Sequence, residues 1–490
     1  MKGVKIMEET RKNGMLVDVD EFPKSWGQAT ILAIQHVLAM FVACITVPLI
    51  VFSSYTTSDG ANLAQLLIAP TIVSAGVGTL FYLFMTKFKS PMFLASSFAY
   101  LSPMISAVAI GFTDTGKPNL WLLPIGMAMV GLVYVIVAII IKFCGVKWLN
   151  KLLPPLVIGP VIMVIGLGLA GSAINNLNNT ASGTYNLLHI LSGLVAMVVT
   201  GICAHYGKKT LSLIPFVIGM GAGYLFALII TLIGYYGAGS EYCKIVDLSP
   251  IVNNFVVDGK FRGFQAFLDY PKFLFLQAEN SQPLSWSGVA QAAMLFVPVS
   301  LVTICEHIGD HENMSGVIQK NLLEEPGLDR TLIGDGVATA LSGGLCGAAN
   351  TTYGENVAVV GVSKVASTRV IAMACGIAIL LGFLSPLMAI VQTIPGCICG
   401  GVSLVLSGFI ASSGVKILMA NKIDMGATKS IFVASTILVA GIGGLAINFS
   451  IGQVAFSISS TAVAMILGII MNVILKDKKE DKPAAPAEGE

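Results

Sequence analysis

The chain has 490 residues, 55% of them hydrophobic and only 11% charged, with net charge +2 and a mean hydropathy of +0.84. Soluble domains carry roughly 25% charged residues, so the composition excludes a water-soluble enzyme or binding domain and describes a polytopic membrane protein. The basic residues fall in short clusters between apolar runs, which excludes a face that grips nucleic acid.

Residues 1–27 are polar and mixed in charge, without the basic start, apolar core and small-residue cleavage site of a signal peptide, and predict a cytoplasmic leader. Taking about 20 apolar residues per crossing, fourteen segments follow. The first seven run over 28–52, 64–86, 91–111, 120–143, 152–174, 186–206 and 211–236. The second seven run over 288–314, 330–347, 350–366, 368–392, 395–415, 428–447 and 454–475. This predicts an all-α membrane fold with short extended pieces in segments three and ten.

Lys and Arg gather at alternate loops: Lys24 before the first segment, Lys87 and Lys89 after the second, Lys147 and Lys151 after the fourth, and Lys208 after the sixth. Lys320 and Arg330 follow the eighth, Lys364 and Arg369 the tenth, Lys416 and Lys422 the twelfth, and Lys476 the last. By the positive-inside rule both termini are cytoplasmic. The long exterior stretch 237–287 holds FRGFQAFLDYPKFLFL and predicts an interfacial covering. The tail 477–490, rich in Lys, Glu, Ala and Pro, predicts disorder. The nine cysteines show no metal-ligand spacing and read as small buried hydrophobes.

An internal repeat is visible. LPPLVIGPVIMVIGLGLAGSA from Leu153 resembles IPGCICGGVSLVLSGFIASSG from Ile394, and SSFA from Ser96 resembles TTYG from Thr351. The matches fall in segments five and twelve and in three and ten, giving two units of seven, and an odd unit length makes the second inverted. Broken helices at matching places mark the binding sites of secondary transporters.

The third segment, SPMFLASSFAYLSPM, predicts an extended piece with Phe98 in the break, then a half-helix capped by Ser102 with Pro103 at its first position. In the eighth, Glu306, Asp310 and Asn313 fall on one helix face, with His311, Glu312 and Asn313 placed at the interface. A carboxyl group taken out of water can hold a proton near neutral pH, which makes Glu306 the candidate proton carrier. In the tenth, Asn350 to Gly354 are poor helix formers ahead of Glu355, whose place in a first helical turn suits a negative charge. Gln35 and His36 in the first segment are minor candidates, with His36 placed beside the carboxylates, and the role of Asp335 is open. No nucleophile with a positioned base, metal cluster or phosphate-binding loop appears, which argues against an enzyme.

QHVLAMF, SSFAYLSP, EHIGD and NTTYGENVAV resemble the nucleobase-ascorbate transporter family, also called nucleobase:cation symporters, and most of all its bacterial uracil permeases. The likeness runs from Trp26 to Lys476. It implies a core domain over 28–145 and 288–393 and a gate domain over 146–236 and 394–476, the core moving against the gate and the gate forming a homodimer interface. It further implies that Glu306 and Glu355 hydrogen-bond a base, that Phe98 and Tyr353 line or stack on it, and that the backbone at Gly354 touches it. Proton coupling would pass through Glu306, Asp310 and His36.

The expected function is therefore uracil import with a co-transported proton across the cytoplasmic membrane, with no other cofactor and no metal. Glu355, where purine transporters of the family tend to have Gln, favours a pyrimidine. Three positions depart from the family pattern: Asp310 stands where uracil permeases usually have His, Ala358 where Gly is usual, and Ser363 where Thr is usual. Xanthine or another base is the first alternative. An anion transporter or channel of the same inverted-repeat architecture is the second.

Overall fold

The computed structural model describes residues 14–475 apart from 53–54, 58–61, 181–182, 209–210, 212–213, 258, 274–277 and 452–453. Helices α1 (Trp26–Phe52) and α2 (Leu63–Met85) lead into strand β1 (Leu94–Ser96), half-helix α3 (Leu101–Ala109) and the turn α4 (Phe112–Thr115). Then come α5 (Leu122–Cys144), α6 (Lys147–Leu152), α7 (Pro155–Gly168), α8 (Ala170–Asn178), α9 (Leu187–Tyr206) and α10 (Pro215–Ile230). A stretch with α11 (Ser249–Phe255) and strands β2 (Val256–Val257) and β3 (Lys260–Phe261) precedes α12 (Trp286–Ile318) and α13 (Leu328–Gly344). Strand β4 (Asn350–Thr352) and half-helix α14 (Gly354–Ser363) follow, then α15 (Thr368–Phe383), α16 (Ser385–Gln392), α17 (Gly396–Ala420) and α18 (Thr428–Ile442). Strands β5 (Ile447–Ile451) and β6 (Val454–Ile458) and helix α19 (Ser460–Ile474) complete the described chain.

Local chemistry sets the helix ends. Asn62, Asn186 and Ser285 accept hydrogen bonds from first-turn N–H groups of α2, α9 and α12, and Pro155 and Pro215 open α7 and α10, where a missing N–H costs nothing. Among the described residues, eight helical stretches are long and apolar enough to cross a membrane, with three shorter apolar helices beside them.

Several sequence expectations need correction. The last two segments are shorter than hydropathy suggested: α18 stops at Ile442, α19 starts at Ser460, and a β-hairpin joins them. Gly443 and Gly444 end the helix, and INFSI and VAFSI alternate apolar with small or polar residues at the strand period. Average hydropathy does not register that period. Segment eleven is two helices, α15 and α16, parted at an extended Leu384 two residues before Pro386.

The leader is not free where it is described. Leu16 N–H donates to Lys364 O at 2.8 Å, and Ala366 and Thr368 N–H donate to Val17 and Val19 O at 2.9 and 3.1 Å. Asp18 pairs with Lys320 at 2.8 Å, and Met15, Val17 and Val19 are buried. Alternating apolar residues in a short polar stretch were the missed signal. The stretch expected to cover the surface packs α11 on α16, with Leu268 bridged to Leu384. The tail expected to be disordered lies outside the described residues.

The two stretches that look alike in sequence meet in space. Helices α7 and α17 pack with opposite directions, so that a Cβ on Gly414 would lie 2.4 Å from Gly159 O and one on Gly166 would lie 2.6 Å from Ser407 O. Only glycine allows that approach.

Candidate functional site

Strands β1 and β4 pair antiparallel in register Leu94 with Thr352, Ala95 with Thr351 and Ser96 with Asn350. Ser97 N–H to Ala349 O (2.7 Å) and Tyr353 N–H to Phe93 O (3.1 Å) extend the ladder. Two strands alone leave both outer edges unpaired, and at this depth no water repairs them. Threonines from two long helices do so instead. Thr79 Oγ1 of α2 donates to Leu94 O (3.0 Å) and accepts from Leu94 N–H (2.9 Å), and Thr339 Oγ1 of α13 donates to Asn350 O (2.8 Å). All six strand residues are buried.

Half-helices α3 and α14 leave this ladder. Helix α14 starts at Gly354 with Glu355 in its first turn. Helix α3 starts at Leu101, so Ser102 and Pro103 lie inside the first turn and Ser102 is not the cap, a correction to the sequence reading. Proline is tolerated there because first-turn N–H groups have no helical partner.

Helix α12 runs unbroken past the ladder and brings Glu306 and Asp310 to it. Thr352 Oγ1 donates to Asp310 Oδ2 at 2.6 Å, and Asp310 Oδ1 lies 3.6 Å from where a Cβ on Gly354 would stand. Glu306 lies within electrostatic reach of both Asp310 and Glu355. Phe98, Glu306, Asp310, Gly354 and Glu355 are all half-buried, while strand residues between them are sealed. Three carboxyl groups thus stand on the two stretches joined by the Thr352–Asp310 bond, none of them sealed, and Phe98 follows the paired strand β1; carboxyl groups and an aromatic ring suit N–H donors on a flat ring.

The other candidates fall as follows. Tyr353 is buried, its hydroxyl donating to Ser96 O at 2.9 Å. His36 is buried, and Asn356 Nδ2, one residue past Glu355, bonds its Nδ1 (3.0 Å) and its carbonyl (3.1 Å). Gln35 is buried beside it in sequence. Glu312 and Asn313 are exposed, but His311, placed at the interface from sequence, is wholly buried.

That burial belongs to a second network on the back of α12. His307 Nδ1 and Asp335 Oδ2 are 2.7 Å apart, both wholly buried, and His307 stacks on His311 at 4.0 Å between centroids. His311 Nε2 meets the Tyr82 hydroxyl at 2.6 Å, which donates to Ser90 Oγ at 2.8 Å. Asp335 is therefore a packing group joined to α12. Sequence reasoning gave His307 no role and set His311 at the interface, although their four-residue spacing puts them together on a face turned from that of Glu306 and Asp310. It also gave no role to Thr352 and Asn356. Among the described residues no cluster of His, Cys, Asp and Glu could hold a metal.

The permease-family model Xan_ur_permease matches residues 27–449. The chain belongs to the nucleobase-ascorbate transporter family. It is a multi-pass membrane transporter of that family and not an enzyme. The uracil permease of Bacillus caldolyticus is 38% identical over 96% of this chain and 96% of its own. That of Bacillus subtilis strain 168 is 38% identical over 94% of each, and that of Escherichia coli K12 31% identical over 91% of this chain and 90% of its own. Among solved structures, the transmembrane domain of the cyanobacterial bicarbonate transporter BicA matches with a TM-score of 0.53 at 12% identity, covering 93% of this chain and all of that one. The murine Slc26a9 anion transporter matches with a TM-score of 0.59 at 10% identity, covering 93% of this chain and 69% of that one. At such identities these two speak for the fold alone, a mostly helical transporter shared with this permease.

Proposed function

We propose that this permease is a proton-coupled uracil symporter that imports its substrate by alternating access. The observation that carries the reading is the Thr352–Asp310 bond, which holds the α12 helix bearing Glu306 against the strand pair from which the half-helix starting with Gly354 and Glu355 departs. Uracil offers two ring N–H donors to carboxylates and two carbonyls to N–H groups at half-helix ends. In this reading Glu306 and Glu355 accept the base's N–H bonds, Phe98 packs on the ring, and the backbone at Gly354 borders it, with Tyr353 fixing the strand pair behind. Glu306 carries the proton, and Asp310 and His36, the latter bonded to Asn356, belong to the same relay.

The names of the relatives support a uracil permease. Opposed packing of the paired stretches supports two inverted units of seven segments: β1 lies against β4, α7 against α17, and Thr79 and Thr339 hold equivalent outer edges. We assign 28–145 with 288–393 to a core and 146–236 with 394–476 to a gate, with the gate forming a dimer contact. The basic loops favour cytoplasmic termini in the cell membrane. The fold is shared with anion transporters, but three carboxyl groups at the site would repel an anion.

Labelled uracil uptake into vesicles, challenged with unlabelled uracil or xanthine, tests the substrate. Uracil should compete and xanthine should not, and Glu355→Gln should lower uptake about tenfold to a hundredfold, the worth of a hydrogen bond to a charged group. Competition by xanthine at equal concentration contradicts the pyrimidine reading.

A further inference from the structure

We propose a second, weaker binding station for the same flat, amide-bearing heterocycle, under the β5–β6 hairpin at the outer mouth of the pathway. The proposal rests on the substrate and orientation given above. A cavity of about 420 Å³ lies between the hairpin and the ends of α3 and α12 that point away from the basic loops. Binding cavities for small molecules measure about 300–1,000 Å³ and combine apolar walls with a few polar groups. Ser106 comes from α3, Gln291 from α12, and Asn448, Phe449, Phe456 and Ser457 from the hairpin.

Two features favour a planar ring with imide groups. Asn448 pairs with Ser457 and Phe449 with Phe456 on adjacent rungs, and the two phenyl rings are nearly parallel, 17° apart with centroids 5.3 Å from each other. Adjacent rungs face opposite sides of a strand pair, so the phenyl pair presents an aromatic surface on one side of the hairpin, Asn448 and Ser457 lie on the other, and Gln291 of α12 is the side-chain amide that the helix wall brings to the cavity. The side chains of Ser106, Gln291, Asn448 and Ser457 have no hydrogen-bond partner in the protein among the described residues. Amide groups offer both a donor and an acceptor, the complement of an N–H beside a carbonyl.

Its place along the path gives the station its role. Helix α12 carries Leu295 on the cavity wall and Glu306 at the inner site, eleven residues apart and so roughly 16 Å along one helix. Helix α3 begins at the strand ladder and reaches the cavity with Ser106. The helices that build the inner site therefore also floor the outer one. No carboxylate lines the outer cavity, and neutral hydrogen bonds are about half as strong as those to a charged group. Affinity thus rises inward. The hairpin joins α18 to α19 while β6 packs on α12, so the station spans the boundary between the two moving halves.

The test uses the full chain in proteoliposomes. For Gln291→Leu and Phe456→Ala the half-saturating concentration for uracil entry should rise about three- to tenfold with the maximum rate kept, the effect of one lost neutral contact. Tight equilibrium binding of labelled uracil to the solubilised protein should stay within about twofold, which also reports folding. Phe456→Tyr should recover entry lost in Phe456→Ala. Unchanged entry in both variants overturns the proposal, as does a parallel fall of tight binding in Gln291→Leu. Glu355→Gln is the separate control: retention of tight binding there refutes the carboxylate site and not the outer station.

Discussion

Thr352 donates its hydroxyl to Asp310 at 2.6 Å, tying the strand of broken segment ten to the unbroken helix α12. The bond fixes one carboxylate of the site, and Asp310 shares its field with Glu306. Thr352→Val keeps the shape and removes the donor. A hydrogen bond to a charged group is worth about 1.5–3 kcal/mol, so uptake at low uracil concentration should fall by about tenfold or more. Thr352→Ser should keep most of it. Initial rates of labelled uracil uptake check both.

The His307–Asp335 pair sits in the fully buried back of α12, at 2.7 Å. Removing one partner strands a polar group where no water reaches it, and such a loss costs about 3–5 kcal/mol. Asp335→Ala should therefore lower the melting temperature of the solubilised protein sharply. Asp335→Leu combined with His307→Leu should cost less than the sum of the two single changes, read from the same melting curves.

Gly414 and Gly408 lie in the same helix and should respond in opposite ways. A Cβ at Gly414 would lie 2.4 Å from Gly159 O, whereas one at Gly408 would meet nothing within 4 Å. Gly414→Ala should cost about 1–3 kcal/mol of overpacking. Gly408→Ala should be neutral or stabilise by about 0.4–1 kcal/mol, since alanine suits a helix better than glycine. Thermal unfolding of the two variants beside wild type tests the pair of expectations.

Outside the membrane, the hydrogen bond from Lys89 and then its charge hold the Glu325 carboxyl below its ordinary value. The folded form therefore binds that proton less tightly than the unfolded chain. Its stabilisation is complete above the ordinary carboxylate value of about 4.3 and is withdrawn as pH falls through the lowered folded value. Both groups are exposed and the effect is small. Glu325→Gln should melt slightly below wild type at neutral pH, with the gap closing below roughly pH 4.

Much of this arrangement was legible in the sequence. NTTYGEN announced a break because Asn, Thr and Gly resist helix inside an apolar region, and a short strand followed by a helix starting at Gly354 is what stands there. The likeness of the two stretches was visible as a repeat, but not that they face one another at their glycines, because helix pairing depends on contacts distant in sequence. The hairpin was hidden for a related reason. Its strands are as apolar as a crossing helix, and only their two-residue period and the glycines at 441–444 distinguish them. His307 and His311 were read as part of a motif or of an interface, because sequence alone does not show that Asp335 and Tyr82 come from other helices to meet them.

The central claim is that an acidic group at the meeting of the two half-helices couples base to proton. Labelled uracil uptake into proteoliposomes, with and without an imposed pH gradient, should show wild-type accumulation that follows the gradient and Glu306→Gln uptake that ignores it. Uptake by Glu306→Gln that still rises with the gradient would contradict the account.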